Sequence, residues 1–231
     1  MKSYDDAIKY INEQEKLPID YCKVGNDSKI LIVSFAGFWK NYYDRKSSLL
    51  KLRYERNDFD VLYFAKKKTW YLCGLDGIGK NINHTIEFLR IEFNKYDKII
   101  CVGISMGGYA SILFGSLLNV NYVIATRPQT DLEYITDKCS SRNGKCKSHE
   151  LWKASIGLSK IIDSQSFQKY KNLNKIINDS TVYYYIGFYE DRDGWHDSHH
   201  YNNVKNFKNM ILHGTRKTDE IIPLLTKILD E

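Results

Sequence analysis

Residues 103–107 read Gly-Ile-Ser-Met-Gly, and Gly108 follows. A serine framed by glycines at this spacing can serve as a nucleophile. In a sharp strand-to-helix bend, side chains flanking the serine would collide with neighbouring backbone. Glycine tolerates both the unusual dihedrals and the close packing. Such a bend lifts the Ser105 hydroxyl above the end of a sheet, and the helix behind it aims its first amides at the same point. The bland alternative for the same glycines is a tight turn without chemistry.

A serine hydroxyl needs a base, and the base needs a carboxylate to orient it. In the chain order serine, acid, histidine, the downstream imidazoles are His149, His196, His199, His200 and His213. His213 is the expected base, because it follows the apolar run 208–212 and precedes the closing helix by a short loop. The acid is sought in residues 190–197, Glu-Asp-Arg-Asp-Gly-Trp-His-Asp. Asp193 is the first choice and Asp191 the alternative; the unused carboxylates are solvated loop residues. The Met106 amide is the expected first oxyanion donor. The second is that of Ala36, after the apolar run 29–35, with Phe35 and Gly37 as its neighbours. Phe38 and Trp39 either wall an acyl or sugar pocket or join the core. His196, His199 and His200, with Asp193 and Asp197, also have the side-chain types of a metal site. A serine mechanism needs no metal, and none is expected.

Elements at the right places must hold these residues. Apolar, β-branched or aromatic runs at 29–37, 58–65, 98–103, 121–127, 181–189 and 208–213 predict strands. Residues 19–24 predict another, joined to the run at 29–37 as a hairpin through Gly25-Asn26-Asp27-Ser28. Helical periodicity marks 5–16, 47–57, 82–96, 106–118 and 219–230, with Ser3 as an N-cap and Thr218 or Asp219 near the start of the last. Strands alternating with helices predict one α/β domain over residues 1–231: a mostly parallel sheet with helices on both faces. Ligands of such sheets bind beyond the carboxyl ends of the strands. Residues 129–180 break the rhythm and read as a cap-like insertion.

Composition narrows the classes further. The chain has 231 residues, 43% of them hydrophobic, enough for a large core without staples. No apolar run reaches the ~18 residues of a membrane span, and the polar, acid-bearing start is no secretory signal. Five scattered cysteines fit reduced thiols in a cytoplasmic protein, with Cys139 and Cys146 as a conceivable labile pair. The net charge of +6 favours anionic partners such as CoA phosphates or an acidic glycan. The lysines are dispersed, so no nucleic-acid partner is expected.

The run Gly-Ile-Ser-Met-Gly-Gly-Tyr-Ala-Ser-Ile-Leu-Phe-Gly (103–115), the strand-end Phe35-Ala36-Gly37 and the stretch Arg-Pro-Gln-Thr-Asp-Leu (127–132) resemble bacterial α/β-hydrolase-fold proteins of surface-polysaccharide pathways, among them capsular-polysaccharide O-acetyltransferases. Pro128-Gln129 is similar to the Pro-Gln that follows the next strand in that family. Asp193-Gly-Trp-His196 is similar to the stretch that supplies the triad acid, and His213 lies at a similar distance from the C-terminus as the triad base. The chain departs in its short acid-to-base segment and in having Leu-His-Gly where the family tends to Gly-Gly-His. The resemblance implies a Ser105–Asp193–His213 triad, an acetyl-serine intermediate, acetyl-CoA as co-substrate without a resident cofactor, and a glycan hydroxyl as acceptor. It also implies a cytoplasmic protein that associates peripherally with a membrane-bound glycan-assembly complex. Two other readings use the same fold. An esterase, deacetylase or thioesterase would pass the acyl group to water, and a non-catalytic protein would serve as a component of the assembly complex.

Overall fold

The computed structural model describes residues 3–25, 28–37, 46–65, 70–139, 156–187, 197–214 and 220–231. Seven strands among them form one sheet: β1 (Tyr21–Val24), β2 (Ile30–Phe35), β3 (Asp60–Phe64), β4 (Lys98–Ile104), β5 (Tyr122–Thr126), β6 (Val182–Gly187) and β7 (Met210–Gly214). Their spatial order is β1-β3-β2-β4-β5-β6-β7, parallel throughout except for β1, which runs antiparallel to β3.

Alternation along each strand sorts the side chains into two cores. Leu31, Val33, Phe35, Cys101, Tyr183 and Tyr185 face one side, where they meet α3 (Ile82–Phe93) and α4 (Met106–Leu118). Ile32, Ile100, Val102, Tyr184 and Ile186 face the other, against α1 (Tyr4–Gln14), α2 (Lys46–Arg56) and the closing helix, numbered α8 (Ile221–Asp230). The spacing of Ile221, Leu224, Leu225, Ile228 and Leu229 gives α8 one apolar stripe, and all five are buried. α1 starts as its sequence predicts: the Asp6 amide donates to Ser3 Oγ at 3.2 Å.

One expectation is corrected. β1 and β2 are no hairpin, because β3 lies between them. Gly25, at φ 97°, carries the chain across the start of β3 so closely that a Cβ there would meet the Asp60 carboxylate at 2.0 Å. β2 is apolar except for Ser34 and is buried on both faces from Leu31 to Phe35, so it needs a partner on each edge, and parallel β3 and β4 supply them. His213 lies inside the last strand, opposite Ile186 of β6. Residues 129–139 and 156–180 are the described part of the segment read as a cap-like insertion. They hold α5 (Leu132–Cys139), α6 (Gln165–Tyr170) and a 3₁₀ turn (Leu173–Lys175), and Leu132, Ile135, Leu158, Phe167 and Leu173 are buried in the same core as α4. The Tyr109 hydroxyl of α4 donates to Tyr170 O at 2.8 Å.

Cys22 and Cys101 are buried free thiols, and burial pushes Cys22 up to about 12. The Cys139 side chain and Cys146 lie outside the described residues.

α4 is held to the sheet by a stacked aromatic column. The Phe35 ring stands 5.1 Å from Phe64 and 5.5 Å from Phe114, centroid to centroid. Phe114→Ala is expected to cost about 3–5 kcal/mol, measured by denaturant unfolding; a loss below about 1 kcal/mol would mean that the column does not seat α4.

Candidate active site

Ser105 sits at the junction of β4 and α4 with φ 57° and ψ −119°. Left-handed φ is costly for a residue with a Cβ and persists only where the surroundings enforce it. Here the enforcement is explicit. The Ser105 amide donates to Thr126 O at 2.8 Å, and its carbonyl accepts from the Tyr109 amide at 3.0 Å. A Cβ on Gly103 would stand 2.2 Å from Gly107 O, and one on Gly107 would stand 2.1 Å from Phe35 O. A Cβ on Gly108 would press Pro128 Cβ at 3.0 Å. The glycines therefore let α4 start directly over β2 and β4. Met106 is the first residue of α4, so its amide lies where a helix leaves N–H groups without intrahelical partners.

The Ala36 amide is engaged elsewhere. It donates to Phe64 O at 3.1 Å and extends the ladder between β2 and β3. The Ala36 carbonyl accepts from the Tyr71 hydroxyl at 3.0 Å. Gly37 comes next, and a Cβ there would lie 3.0 Å from Ile104 O, so the chain crosses the end of β4 at close range. Tyr71 supports this crossing, and Trp70 and Tyr71 are both buried at positive φ, 58° and 66°. Phe38 and Trp39 lie outside the described residues.

The structure does not bring Ser105 and His213 together. The pairing runs Ile104 to Thr126, Thr126 to Ile186, and Ile186 to His213. Three strand spacings, about 14 Å, therefore separate His213 from the row of Ile104. The His213 ring lies on the α8 side of the sheet, 5.8 Å from the Tyr184 ring, and its Nε2 is buried without a hydrogen-bond partner. Asp191, Asp193 and His196 lie outside the described residues.

The partner that the structure gives Ser105 is Gln129. Its Nε2 lies 2.9 Å and its Oε1 3.2 Å from Ser105 Oγ, and the residue is 4% exposed. The sequence offers Pro128-Gln129 as a resemblance without a task. The signal for one is an amide side chain just past the strand next to the one that carries Ser105.

The loop carrying Gln129 is braced by α7 (Asp197–Val204). Arg127 Nη2 donates to Asp197 Oδ2 at 2.7 Å, and Asp197 is buried. Thr130 Oγ1 donates to His200 O at 2.9 Å, and Asn203 Nδ2 donates to Thr130 O at 3.1 Å. His199 Nε2 meets Asp131 Oδ2 at 3.0 Å, and its ring stacks on Tyr134 at 3.6 Å. His199 and His200 are thus built into this brace. Among the described residues, no three of His, Cys, Asp and Glu gather as a metal site.

Burial pushes Asp131 upward, but the hydrogen bonds from His199 and the Tyr134 amide, with the nearby imidazoles, outweigh it and hold the carboxyl below its ordinary value. A lowered folded-state value contributes stability that is present above the unfolded value of about 3.9. That contribution is lost as pH falls through the folded value. Asp131→Asn should therefore flatten the acid limb of a stability–pH curve below pH ~4; an unchanged limb would remove Asp131 from the brace. A second expectation concerns the bend. Ser105→Gly relieves roughly 1–3 kcal/mol of strain and forfeits roughly 0.5–1 kcal/mol of chain entropy, a net gain of about 1 kcal/mol. Ser105→Ala should show no such gain when the two melting curves are compared.

No family model matches the chain, and none of the curated proteins matches it. Solved structures do. A capsule O-acetyltransferase variant of Neisseria meningitidis serogroup A in complex with CoA superposes with a TM-score of 0.58 at 15% identity, covering 93% of this chain and 92% of that one. A chain of a glycosylation-associated protein complex from Streptococcus agalactiae gives 0.59 at 14% identity; 91% of this chain is covered, but it spans only 44% of that chain's length. Esterase B from Lactobacillus rhamnosis gives 0.55 at 13% identity, over 98% and 93% of the two chains. The likeness at these identities is one of architecture: the chain has the α/β-hydrolase fold, with its serine at the strand-to-helix bend that follows β4.

Proposed function

We propose that the protein is a serine acyltransferase that moves an acetyl group from acetyl-CoA to a hydroxyl of a bacterial surface glycan. The observation that carries this reading is the clamped, half-exposed Ser105 at the head of α4. Its support is the end-to-end likeness to a capsule O-acetyltransferase whose structure holds CoA. The net charge of +6 suits a phosphorylated donor and an anionic glycan. The likeness to a chain from a glycosylation-associated protein complex supports a partner of that kind. Among the described residues no helix is long and apolar enough to cross a membrane.

In this reading Ser105 Oγ attacks the thioester carbon while its proton passes to an imidazole. The Met106 amide at the head of α4 receives the oxyanion, and Gly37, whose predecessor's amide is engaged, is the second candidate donor. The C–S bond breaks and protonated CoA thiol leaves. A glycan hydroxyl then attacks the acetyl-serine, gives its proton to the same imidazole, and Oγ departs with a proton returned. His213 remains the proposed base and Asp193 or Asp191 the acid, supported by chain order and by the unpartnered His213 Nε2. From its place in β7 the imidazole reaches Ser105 only if the end of that strand leaves the sheet. The His199–Asp131 pair, already formed at 3.0 Å beside the Gln129 loop, favours a second assignment of the base.

The same acyl-enzyme discharged by water would make an esterase, a reading favoured by the likeness to esterase B. Intact-mass analysis after incubation with acetyl-CoA separates these outcomes. One added acetyl group on Ser105, absent in Ser105→Ala and discharged by a glycan acceptor, is expected. Acetyl-CoA hydrolysis indifferent to glycan would replace the transferase with the esterase, and no acylation at all would remove both. His213→Ala is expected to abolish acylation; if His199→Ala does so instead, the base is His199.

A further inference from the structure

We infer that Gln129 is a catalytic residue, whose side-chain amide stabilises negative charge on Ser105 Oγ both when the hydroxyl loses its proton and when the acyl group departs. The inference rests on the reading of Ser105 as an acylated nucleophile and adds a residue that the triad and the backbone oxyanion donors do not include.

The geometry is specific. Nε2 lies 2.9 Å from Oγ, the shorter of the two amide contacts, and the side chain is 4% exposed. A hydroxyl oxygen has two lone pairs and one proton. An amide N–H donating into one lone pair leaves the proton free to point at an imidazole. As that proton departs, the N–H···O contact becomes a hydrogen bond to a charged oxygen, about twice as strong as a neutral one. When the acceptor hydroxyl attacks the acyl carbon and the Oγ–C bond breaks, the electron pair returns to Oγ and meets the same donor. Oε1, at 3.2 Å, can hold the hydroxyl proton while no imidazole is near.

A donor is effective when it is fixed before the reaction, so that it does not reorganise during it. Gln129 is fixed from both sides. Pro128 before it restricts the backbone and lies against Gly108 of α4, where an added Cβ would touch at 3.0 Å. Thr130 after it is fully buried and is tied to α7 through His200 O and Asn203. The Leu173 amide also donates to Thr130 O, at 2.9 Å. A glutamine that merely filled space would need neither the contact to Oγ nor this bracing.

The test uses the full-length protein and two readouts: the labelling rate of Ser105 by a fluorophosphonate, and the turnover of p-nitrophenyl acetate. Gln129→Ala is expected to lower labelling and kcat by about 10- to 100-fold, with KM and melting temperature little changed. Gln129→Glu should lose more above neutral pH, where a carboxylate faces the developing alkoxide. It should recover toward wild type as pH falls and the carboxyl gains a proton to donate. Wild type that labels, with Gln129→Ala labelling at the same rate, overturns the inference and leaves the nucleophile standing. Parallel losses in both variants, with no pH-dependent recovery and with melting temperatures that fall in step, reduce Gln129 to a structural residue. Wild type that takes no label removes the nucleophile and this inference together.

Discussion

Everything at this site depends on one enforced bend in the backbone at Ser105. A φ of 57° with a ψ of −119° is a conformation that a side chain opposes. It survives because α4 is pressed onto β2 and β4 until only hydrogen atoms fit at residues 103 and 107. The aromatic column of Phe64, Phe35 and Phe114 supplies much of that pressure from below. Above it, the ladder hydrogen bond from the Ser105 amide to Thr126 O fixes the height at which the hydroxyl emerges. Packing is thus converted into the position of a single oxygen atom.

The same compression arranges the neighbours of that oxygen. Extension of the β2 ladder engages the Ala36 amide with Phe64 O and leaves the next turn of chain to cross the end of β4 at Gly37. Tyr71, reaching under this crossing to Ala36 O, holds it from the side. Two consecutive aromatics in the left-handed region are costly, and they sit where the path of a loop rather than a helix or strand has to be set. On the opposite side, β5 ends at Thr126 and Arg127 turns with φ 43° into its pair with Asp197. The chain then presents Gln129 to the hydroxyl.

The bend was legible in the sequence because its cause is local: glycines two residues before and two after a serine, an apolar strand on one side and a helix on the other. The sorting of side chains to two faces was legible for the same reason, since it follows from alternation alone. Pairing was harder. Residues 19–24 and 29–37 look like adjacent strands around a turn, yet a chain cannot show from its own periodicity that β3 will be placed between them. What decides it is the need of β2 for a neighbour on each edge. Boundaries were harder still. His213 follows three apolar residues and precedes a glycine, which suits a loop as well as the end of an edge strand. Ladder bonds to β6 select the strand. Ala36 is a reasonable donor by position, but its amide is taken by the β2–β3 ladder. Asp193 and Asp191 lie outside the described residues, so the sequence remains the source of that assignment.

Gln129 shows how a site can extend beyond the residues its motif names. A nucleophile motif specifies what must be small and what must be reactive. It leaves open what will touch the reactive atom, because that contact is made by a neighbouring strand's loop, 24 residues further along the chain. In a parallel sheet the strand beside the nucleophile must end at the same rim, so the first residues past its end are placed next to the serine by topology alone. An amide there has a consequence that a carboxylate or an aliphatic side chain would lack: it donates without carrying charge. In the inferred role the resting hydroxyl is held without being ionised, and charge is met only as it develops. A donor held by Pro128 on one side and Thr130 on the other does not have to move to do this.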